Sequence, residues 1–170
     1  MPRLRVSIYD QSGKQLKDGK LIGGEGGIIC SAGTLLGDSE WTACFEEDPG
    51  FIARLSPVDY HRFHFPDDGE LLASWRIPGA LYSVNPWALA QRGDLFMLNE
   101  RQVSILQTHS GRTFHRGDEK GLFLFGGSTV IVLGEAGRWQ IEASLLANTD
   151  AGLETYLQLG SRLGQAADSC

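Results

Sequence analysis

The chain has 170 residues, of which 42% are hydrophobic and 21% charged, and its formal net charge is -6. This length and composition suit one domain with a real core, so we expect a single domain over residues 1–170. The acidic balance argues against non-specific nucleic-acid binding, and the longest uncharged apolar run, Gly121–Gly134, is too short for a membrane-spanning helix.

The N-terminal half is predicted to consist of short strands separated by turns. Arg5–Tyr9 alternates apolar and polar residues, as a half-buried strand does. Leu35–Phe45 is predicted to contain a short helix or turn around a Gly-Asp pair. Phe51–Leu55 is an apolar strand that Pro57 ends, and Glu70–Trp75 resumes as a strand after a turn.

The C-terminal half continues this pattern with one exception. Asp94–Leu98 and Gln102–Thr108 are predicted strands, and a polar, turn-rich stretch then leads into a strand over Leu122–Phe125. The β-branched run Thr129–Leu133 favours another strand. Leu153–Leu163 is the exception, because its leucines have near-helical spacing. The pattern therefore predicts a β-rich domain with one or two short helices.

The cysteines and the N-terminal residues indicate in which cellular compartment the protein is expected. Cys30, Cys44 and Cys170 form no CxxC pair, and their number is odd, so neither a disulfide framework nor a zinc site is favoured. Met1–Arg5 lacks the apolar segment of a secretory signal. These features predict an intracellular protein without a signal peptide or a transmembrane segment.

Asp59–His64 contains most of the ionisable side chains suited to chemistry. His61 and His64 lie three residues apart, beside an acid and Arg62, and histidine exchanges protons readily near neutral pH. In a strand the two rings would point to opposite faces, whereas in a helical turn they would share one. A metal site is not favoured, because no third or fourth ligand lies at an obvious spacing. Structural or surface histidines are the alternative interpretation.

Gly126–Thr129 is a Gly-Gly-Ser-Thr tetrad between two apolar strands. One interpretation is a β-bulge in the core, which glycine within a strand often marks. The other is a strained backbone, reached cheaply only by glycine, that lets the Ser128 hydroxyl attack the Gly127 carbonyl. A base would then remove the Ser128 α-proton, β-elimination would release the upstream chain, and hydrolysis of the dehydroalanine would leave a pyruvoyl group.

The residues of these motifs and their order along the chain resemble those of the phosphatidylserine decarboxylase family of pyruvoyl-dependent, self-cleaving proenzymes. The resemblance runs from about Leu35 to about Gly164, whereas residues 1–34 match poorly. The segments that carry it are Leu55–His64 with Pro66 and Gly69, Gly79–Pro86, Asn99–Arg101, Gly126–Ile131, Asn148–Thr149, Gly152–Thr155 and Leu163–Gly164.

The resemblance implies a fold and a set of partners. The expected fold is α+β and β-rich, with antiparallel sheets, few short helices and a barrel-sandwich-like element around residues 117–133. The expected substrate is phosphatidylserine at a membrane surface, which implies peripheral membrane association. The other expected partners are the chain's own cleaved N-terminal part and a second copy in a homodimer, and no nucleic acid.

The resemblance also implies the roles of the site residues. Self-cleavage is expected between Gly127 and Ser128, with His64 as the base, and Ser128 becomes the pyruvoyl cofactor. This group forms a Schiff base with phosphatidylserine and decarboxylates it to phosphatidylethanolamine. His61 is expected to serve proton transfer in decarboxylation, and Asp59 to orient a histidine or contribute to the site.

The chain departs from the family pattern in two places. The family's Pro-x-Asp-Gly motif, whose aspartate orients the self-cleavage base, is absent, and Asp10 and Asp18 are the nearest upstream candidates. We also expect the family's membrane-resting N-terminal helices to be missing. Thr108–Gly111 runs almost directly into Gly117–Glu119, where the family has a further block of several tens of residues that supplies core strands.

Three hypotheses about activity follow. The intact motifs around Ser128 and His64 favour an active phospholipid decarboxylase. The second hypothesis is a decarboxylase of a soluble amino acid, and the third is a catalytically inactive, truncated member that binds a lipid or a protein partner. Trp75 and Trp87 flank Tyr82–Pro86 and either line an acyl pocket or pack in the core.

Overall fold

The computed structural model describes residues 3–9, 32–37, 39–45, 50–108, 113–124, 128–135 and 137–167, with the backbone alone for residues 3–9. Within these ranges the helical segments are α1 Ala32–Leu36, a 3-10 turn at Thr42–Cys44, α2 Pro86–Gln91, α3 Leu95–Leu98 and α4 Ala143–Asp150. The strands are β1 Arg3–Tyr9, β2 Gly50–Arg54, β3 Arg62–His64, β4 Gly69–Ile77, β5 Arg101–Thr108, β6 Glu119–Leu122, β7 Thr129–Leu133, β8 Trp139–Ile141, β9 Thr155–Gln158 and β10 Gly164–Ala166.

The largest sheet has four antiparallel strands in the order β7-β2-β1-β9. All five residues of β2 are buried, and this strand pairs with β1 on one side and β7 on the other. Its last residue, Arg54, lies opposite Thr129 of β7 and opposite Arg5 of β1. The register therefore brings the end of β2 directly beside Ser128, which precedes β7.

Three further antiparallel pairs complete the sheet structure. β4 pairs with β5, β3 with β6 and β8 with β10. The β4–β5 ladder requires glycine at position 69, because a Cβ there would lie 2.2 Å from the carbonyl oxygen of Gln107. The β3–β6 pair joins the same two stretches of chain as the β2–β7 pair and so extends their alignment.

The predicted fold class is confirmed. The structure is β-rich, with antiparallel sheets and short helices. The strands predicted at Arg5–Tyr9, Phe51–Leu55, Glu70–Trp75, Gln102–Thr108 and Thr129–Leu133 correspond to β1, β2, β4, β5 and β7. Within residues 117–133 the two strands pair with different partners, β6 with β3 and β7 with β2.

The strand predicted at Asp94–Leu98 is wrong, because this segment forms helix α3. The Asp94 carbonyl accepts the N–H groups of Met97 and Leu98 at 2.9 and 3.1 Å. Leu95 and Phe96 are adjacent and both buried. A strand would send these two side chains to opposite faces, whereas one helical turn lets both reach the core.

The helix predicted at Leu153–Leu163 is also wrong, because this segment contains strand β9. Leu157 is buried between exposed neighbours, which is the alternation of a half-buried strand. Gly152 and Gly160, with φ of 75° and 86°, bracket the strand with turns. The helix in this part of the chain is α4, which the sequence analysis did not predict and which buries Leu145 and Thr149.

Buried apolar side chains form three clusters. The first joins α1, β2, α2 and α3, the second lies between β2 and the C-terminal elements, and the third joins α1 and β5. Their buried members are Leu35, Ile52, Val84, Leu89, Leu95 and Phe96 in the first, Phe51, Ala53, Leu145 and Leu157 in the second, and Leu36, Val103 and Ile105 in the third. β2 therefore contributes to two clusters, which explains its complete burial.

Lys120 links the β3–β6 pair to β5. Its Nζ donates to the Ser104 hydroxyl at 2.8 Å and lies 5.5 Å from the centre of the Phe63 ring and 5.9 Å from that of Phe65. Burial lowers the pKa of the Lys120 ammonium from its ordinary value of 10.5.

Replacing Lys120 with Met should reduce the pH dependence of stability just below pH 10.5. Because the folded-state pKa of Lys120 is lowered, the unfolded chain binds more protons in that window. The free energy of unfolding of the wild type should therefore gain a contribution as the pH rises through the window. Chemical denaturation of Lys120→Met should show a smaller rise, and equal slopes in the two proteins would contradict this account.

Candidate active site

The two sequence motifs lie on antiparallel stretches that face each other. The Leu55 N–H donates to the Ser128 carbonyl at 2.9 Å, and the Phe123 N–H donates to the His61 carbonyl at 2.9 Å. These two bonds join residues 55 and 61 of the first stretch to residues 128 and 123 of the second. Gly126 and Gly127 lie outside the described residues. The fold thus pairs the stretch that leads into the histidines with the stretch that contains Ser128, although the two are more than 60 residues apart in sequence.

Ser128 is buried and its hydroxyl is unpaired. The residue is 2% exposed, and its Oγ has no hydrogen-bond partner in the part of the chain that the structure describes. An unpaired buried hydroxyl costs about 1–3 kcal/mol, so such groups require an explanation. A serine hydroxyl becomes a nucleophile when an adjacent base activates it, and no other described group engages the Ser128 Oγ.

His64 is fixed at both ring nitrogens. Its Nδ1 lies 2.8 Å from the Gly117 carbonyl oxygen, and its Nε2 lies 3.0 Å from the Tyr60 hydroxyl. The Tyr60 and His64 rings are also stacked, with centres 5.7 Å apart. A carbonyl only accepts, so the pattern assigns the proton of the neutral ring to Nδ1 and leaves Nε2 to accept from Tyr60. Nε2 is therefore the basic atom of His64.

The Gly117 carbonyl belongs to a closed turn. Asp118 N–H donates to the His115 carbonyl at 3.0 Å, and its carboxylate accepts the His115 N–H at 2.8 Å. Gly117 has φ of 87°, a conformation that favours glycine, and its N–H donates to the Phe65 carbonyl at 3.0 Å. These bonds fix the position of the acceptor that orients His64.

His61 and Asp59 interact through the backbone. His61 Nδ1 lies 2.8 Å from the Asp59 carbonyl oxygen, which leaves Nε2 as the acceptor atom of the neutral ring. The Asp59 carboxylate accepts the Ser56 N–H at 2.8 Å, and the Asp59 N–H donates to the Ser56 carbonyl at 2.8 Å. In the described contacts, Asp59 orients His61 by its carbonyl, while its carboxylate closes the turn over residues 56–59.

The two histidines do not share one regular element. His64 is the last residue of β3 and His61 precedes the strand. The ladder changes register between Phe63 and His64, where a bulge interrupts the simple alternation of faces. Their different carbonyl partners, rather than a common strand or helix face, therefore set the two ring positions.

Two of the segments that resemble the family, Gly79–Pro86 and Asn99–Arg101, are hydrogen-bonded to each other and so have a structural role. The Asn99 side chain accepts the Tyr82 N–H at 2.8 Å and donates to the Tyr82 carbonyl at 2.9 Å. A Cβ on Gly79 would lie 2.5 Å from the Leu98 carbonyl oxygen, so only glycine permits this approach. Arg101 donates to the carbonyls of Thr34, Leu35, Met97 and Asn99, which ties α1 to the end of α3.

Sequence reasoning missed Arg54, the last residue of β2. It is 8% exposed, its Nε and Nη2 donate to the two carboxylate oxygens of Glu154 at 2.8 and 2.6 Å, and its Nη1 donates to the Val84 carbonyl at 3.3 Å. The available signal was a lone charge in the apolar run Phe51–Leu55, since buried charges are normally paired. Tyr60 and Gly117 were also missed as partners of His64.

The tryptophans, upstream aspartates and cysteine that the sequence analysis singled out lie apart from the two histidines and Ser128 or outside the described residues. Trp75 packs in the third cluster and donates to the Leu36 carbonyl at 3.2 Å, whereas Trp87 is 76% exposed. Asp10 and Asp18, the predicted replacements for the missing aspartate, lie outside the described residues. Cys44 is free and exposed.

The tautomer of His64 can be tested directly. In the wild type, ¹⁵N chemical shifts of the neutral ring should show a protonated Nδ1 and an unprotonated Nε2, because Gly117 offers only an acceptor. Tyr60→Phe should shift the Nε2 resonance by removing its donor, and should leave Nδ1 protonated. Tyr82→Phe removes a hydroxyl elsewhere and is the matched control. A protonated Nε2 in the neutral wild-type ring would contradict the geometry.

Three relatives show what the chain is similar to. It is 37% identical over 182 residues to the phosphatidylserine decarboxylase proenzyme of Desulfitobacterium hafniense, an alignment that covers 88% of this chain and 61% of that protein. It is 37% identical over 155 residues to the proenzyme of Chlamydia pneumoniae, with 78% and 52% covered. It is 41% identical over 137 residues to phosphatidylserine decarboxylase proenzyme 2 of Oryza sativa, with 66% and 22% covered.

The chain therefore spans about half to three-fifths of the length of the two bacterial relatives. The 182 aligned positions of the first exceed the 170 residues of the whole chain, so part of that relative has no counterpart here. No solved structure matches the chain.

The family comparison covers both candidate motifs. A sequence model described as "Phosphatidylserine decarboxylase" matches residues 11–115 and 108–165 in two segments. The segments meet at residues 108–115, where the sequence analysis predicted a missing block. The match includes the histidine motif in its first segment and Ser128 in its second, and the chain belongs to the phosphatidylserine decarboxylase family.

Proposed function

We propose that this protein is a self-processing phosphatidylserine decarboxylase, a pyruvoyl-dependent carboxy-lyase that acts as a single domain. The observation that carries the proposal is the buried Ser128 hydroxyl, which has no partner among the described residues and lies on the stretch that pairs with the approach to the histidine motif, in a chain that belongs to this family. The proenzyme relatives support a cofactor made from the chain itself. An orphan hydroxyl at the expected position fits the precursor of that group.

Self-processing requires a nucleophile and a base on the two facing stretches. The Ser128 Oγ attacks the Gly127 carbonyl carbon, the peptide C–N bond breaks, and the Oγ proton passes through a base to the Ser128 nitrogen. The base next removes the Ser128 α-proton, and Gly127 leaves as a carboxylate. The resulting dehydroalanine takes up water and releases ammonia, which leaves a pyruvoyl group at residue 128.

His64 is the proposed base. Its ring is oriented by the Gly117 carbonyl, and its basic Nε2 accepts from the Tyr60 hydroxyl, so Tyr60 must relay the proton or give up this position during self-processing. The Gly117 carbonyl thereby supplies the acceptor for Nδ1 that the family obtains from an aspartate. A base fixed in one tautomer is already oriented for proton transfer, so the absence of the Pro-x-Asp-Gly motif does not remove the base function.

His61 and Asp59 are proposed to serve decarboxylation. When present, the pyruvoyl group supplies an electron sink for loss of carbon dioxide from the serine headgroup. His61 Nε2 has no hydrogen-bond partner among the described residues, so it can deliver or accept a proton there, while the Asp59 carbonyl orients the ring. The Asp59 carboxylate fixes the turn that presents both groups.

Exposed apolar side chains beside the site support a lipid substrate at a membrane surface. Val58 in the 56–59 turn is 91% exposed, and Leu124 on the facing stretch is 92% exposed. Leu81 and Trp87 are 86% and 76% exposed on either side of Val84, whose carbonyl bonds to Arg54. Such side chains are suited to enter the headgroup region of a bilayer. In the ranges described, no helix is long and apolar enough to cross one.

Intact mass spectrometry of the purified protein tests self-processing. The wild type should yield two fragments that divide between Gly127 and Ser128, the second with a pyruvoyl cap. Ser128→Ala should remain one chain, and His64→Ala should cleave about a hundredfold more slowly or worse, the usual contribution of a positioned base. Ser161→Ala, in an exposed turn, is the control. A wild-type chain that stays whole on incubation would overturn the proposal.

Carbon dioxide release tests the substrate. The cleaved protein should act on phosphatidylserine and not on free serine, and turnover of free amino acids alone would favour the soluble-substrate hypothesis instead. Val58→Asp with Leu124→Asp should lower activity on vesicles several-fold and spare activity on a dispersed short-chain lipid, because charges oppose insertion into lipid. Leu159→Asp is the control, and equal losses on both substrates would contradict a membrane contact at these residues.

A further inference from the structure

The proposed cleavage point separates the inner strands of the four-stranded sheet from its outer strands. The two inner strands, β1 and β2, precede Gly127, and the two outer strands, β7 and β9, follow it. After cleavage the later chain would therefore occupy both edges of the sheet, with the earlier chain between them. The ladders β2–β7 and β1–β9 would both join two separate polypeptides.

The second hydrophobic cluster is divided in the same way. Phe51 and Ala53 come from the earlier chain, and they are 4% and 1% exposed. The remaining members all follow the cleavage point, namely Leu145 and Leu157 with Val130, Val132, Trp139, Ile141, Leu146 and Leu163 packed around them. This shared core attaches the later chain as a whole, but apolar contacts are not directional and do not fix one residue at the end of a strand.

The buried Arg54–Glu154 ion pair also crosses the division. Its two charge-assisted hydrogen bonds, at 2.8 and 2.6 Å, have the bidentate geometry that fixes both distance and direction. Arg54 lies in β2 and Glu154 directly precedes β9, and both strands pair with β1, so the ion pair passes across β1. The third contact of Arg54, to the Val84 carbonyl, connects it to the loop before α2.

Residue 128 depends on this end of the sheet. Arg54 lies opposite Thr129, and the next residue of each stretch is joined by the bond from Leu55 N–H to the Ser128 carbonyl. Within the part of the chain that the structure describes, β7 is an edge strand paired with β2 alone. Once the bond before Ser128 is cut, residue 128 becomes a chain terminus at the end of an edge strand, where fraying is easiest.

We propose that the Arg54–Glu154 pair is a positioning device that keeps residue 128 at the end of the β2–β7 ladder after cleavage. Arg54 and Glu154 act through the backbone of β2 and are positioning residues, because neither contacts the reacting atoms. The catalytic part of this proposal rests on the proposed function. The structural part is that the ion pair keeps the end of the β2–β7 ladder hydrogen-bonded. This part applies to the uncleaved chain as well.

Hydrogen exchange in the uncleaved chain tests the structural part. In a Ser128→Ala background, Arg54→Met should make the Leu55 amide exchange at least about tenfold faster, because its acceptor at residue 128 is released. Arg54→Met removes only one charge of the pair, so Arg54→Met with Glu154→Leu provides a second variant of similar volume that removes both charges. Arg92→Met breaks the exposed Arg92–Asp94 pair and is the matched control.

The amides at which exchange accelerates decide whether the ion pair acts locally or only through overall stability. The double variant should keep the exchange rates of the β4–β5 ladder and accelerate the Leu55 amide selectively. Unchanged Leu55 exchange in both variants, or equal acceleration in every ladder, would overturn the proposal, because the pair would then contribute nothing or only overall stability.

Steady-state kinetics of the cleaved enzyme test the catalytic part. The double variant should retain both fragments on gel filtration through the shared core, and its kcat should fall about tenfold with little change in KM, because a misplaced reacting group affects turnover more than binding. A wild-type kcat in the double variant would overturn the positioning role. A wild type that never cleaves would instead refute the proposed function and leave the exchange result to decide the structural part.

Discussion

The antiparallel alignment of residues 50–64 with residues 119–133 is the constraint on which the other features depend. One ladder joins β2 to β7 and a second joins β3 to β6. Backbone hydrogen bonds join Leu55 to Ser128 and His61 to Phe123, so the alignment of the two stretches rests on the backbone. The site is thus positioned by the sheet and not by a dedicated loop.

The same constraint explains why backbone carbonyls orient both histidines. Gly117 and Asp59 supply the acceptors for His64 and His61, and each carbonyl belongs to a turn that is closed by other hydrogen bonds. A carbonyl carries no net charge, so it orients the ring without adding the electrostatic attraction that a carboxylate would add to an imidazolium. An aspartate would provide orientation and electrostatic attraction together, whereas these carbonyls provide orientation alone.

Sequence patterns predicted the strands with long-range partners better than the short helical elements. Phe51–Leu55 and Thr129–Leu133 are β-branched or apolar runs of strand length, and both form strands. Asp94–Leu98 and Leu153–Leu163 are ambiguous because a short apolar run fits either period, and tertiary burial decided each case. The motifs predict Ser128, His61 and His64 as site residues, whereas the bond from His64 to Gly117 joins residues 53 positions apart and follows only from the register of β3 with β6.

The placement of Glu154 has a consequence for the order of events during synthesis. Arg54 and Ser128 leave the ribosome well before Glu154, and the strand β9 that Glu154 precedes forms the far edge of the sheet. A nascent chain that has just exposed Ser128 has neither the outer strand β9 nor the partner of its buried arginine, and it lacks most of the second cluster. This sheet can therefore be completed only after the segment that contains Glu154 and β9 has been synthesised, which delays closure of the ladders around residue 128 until then.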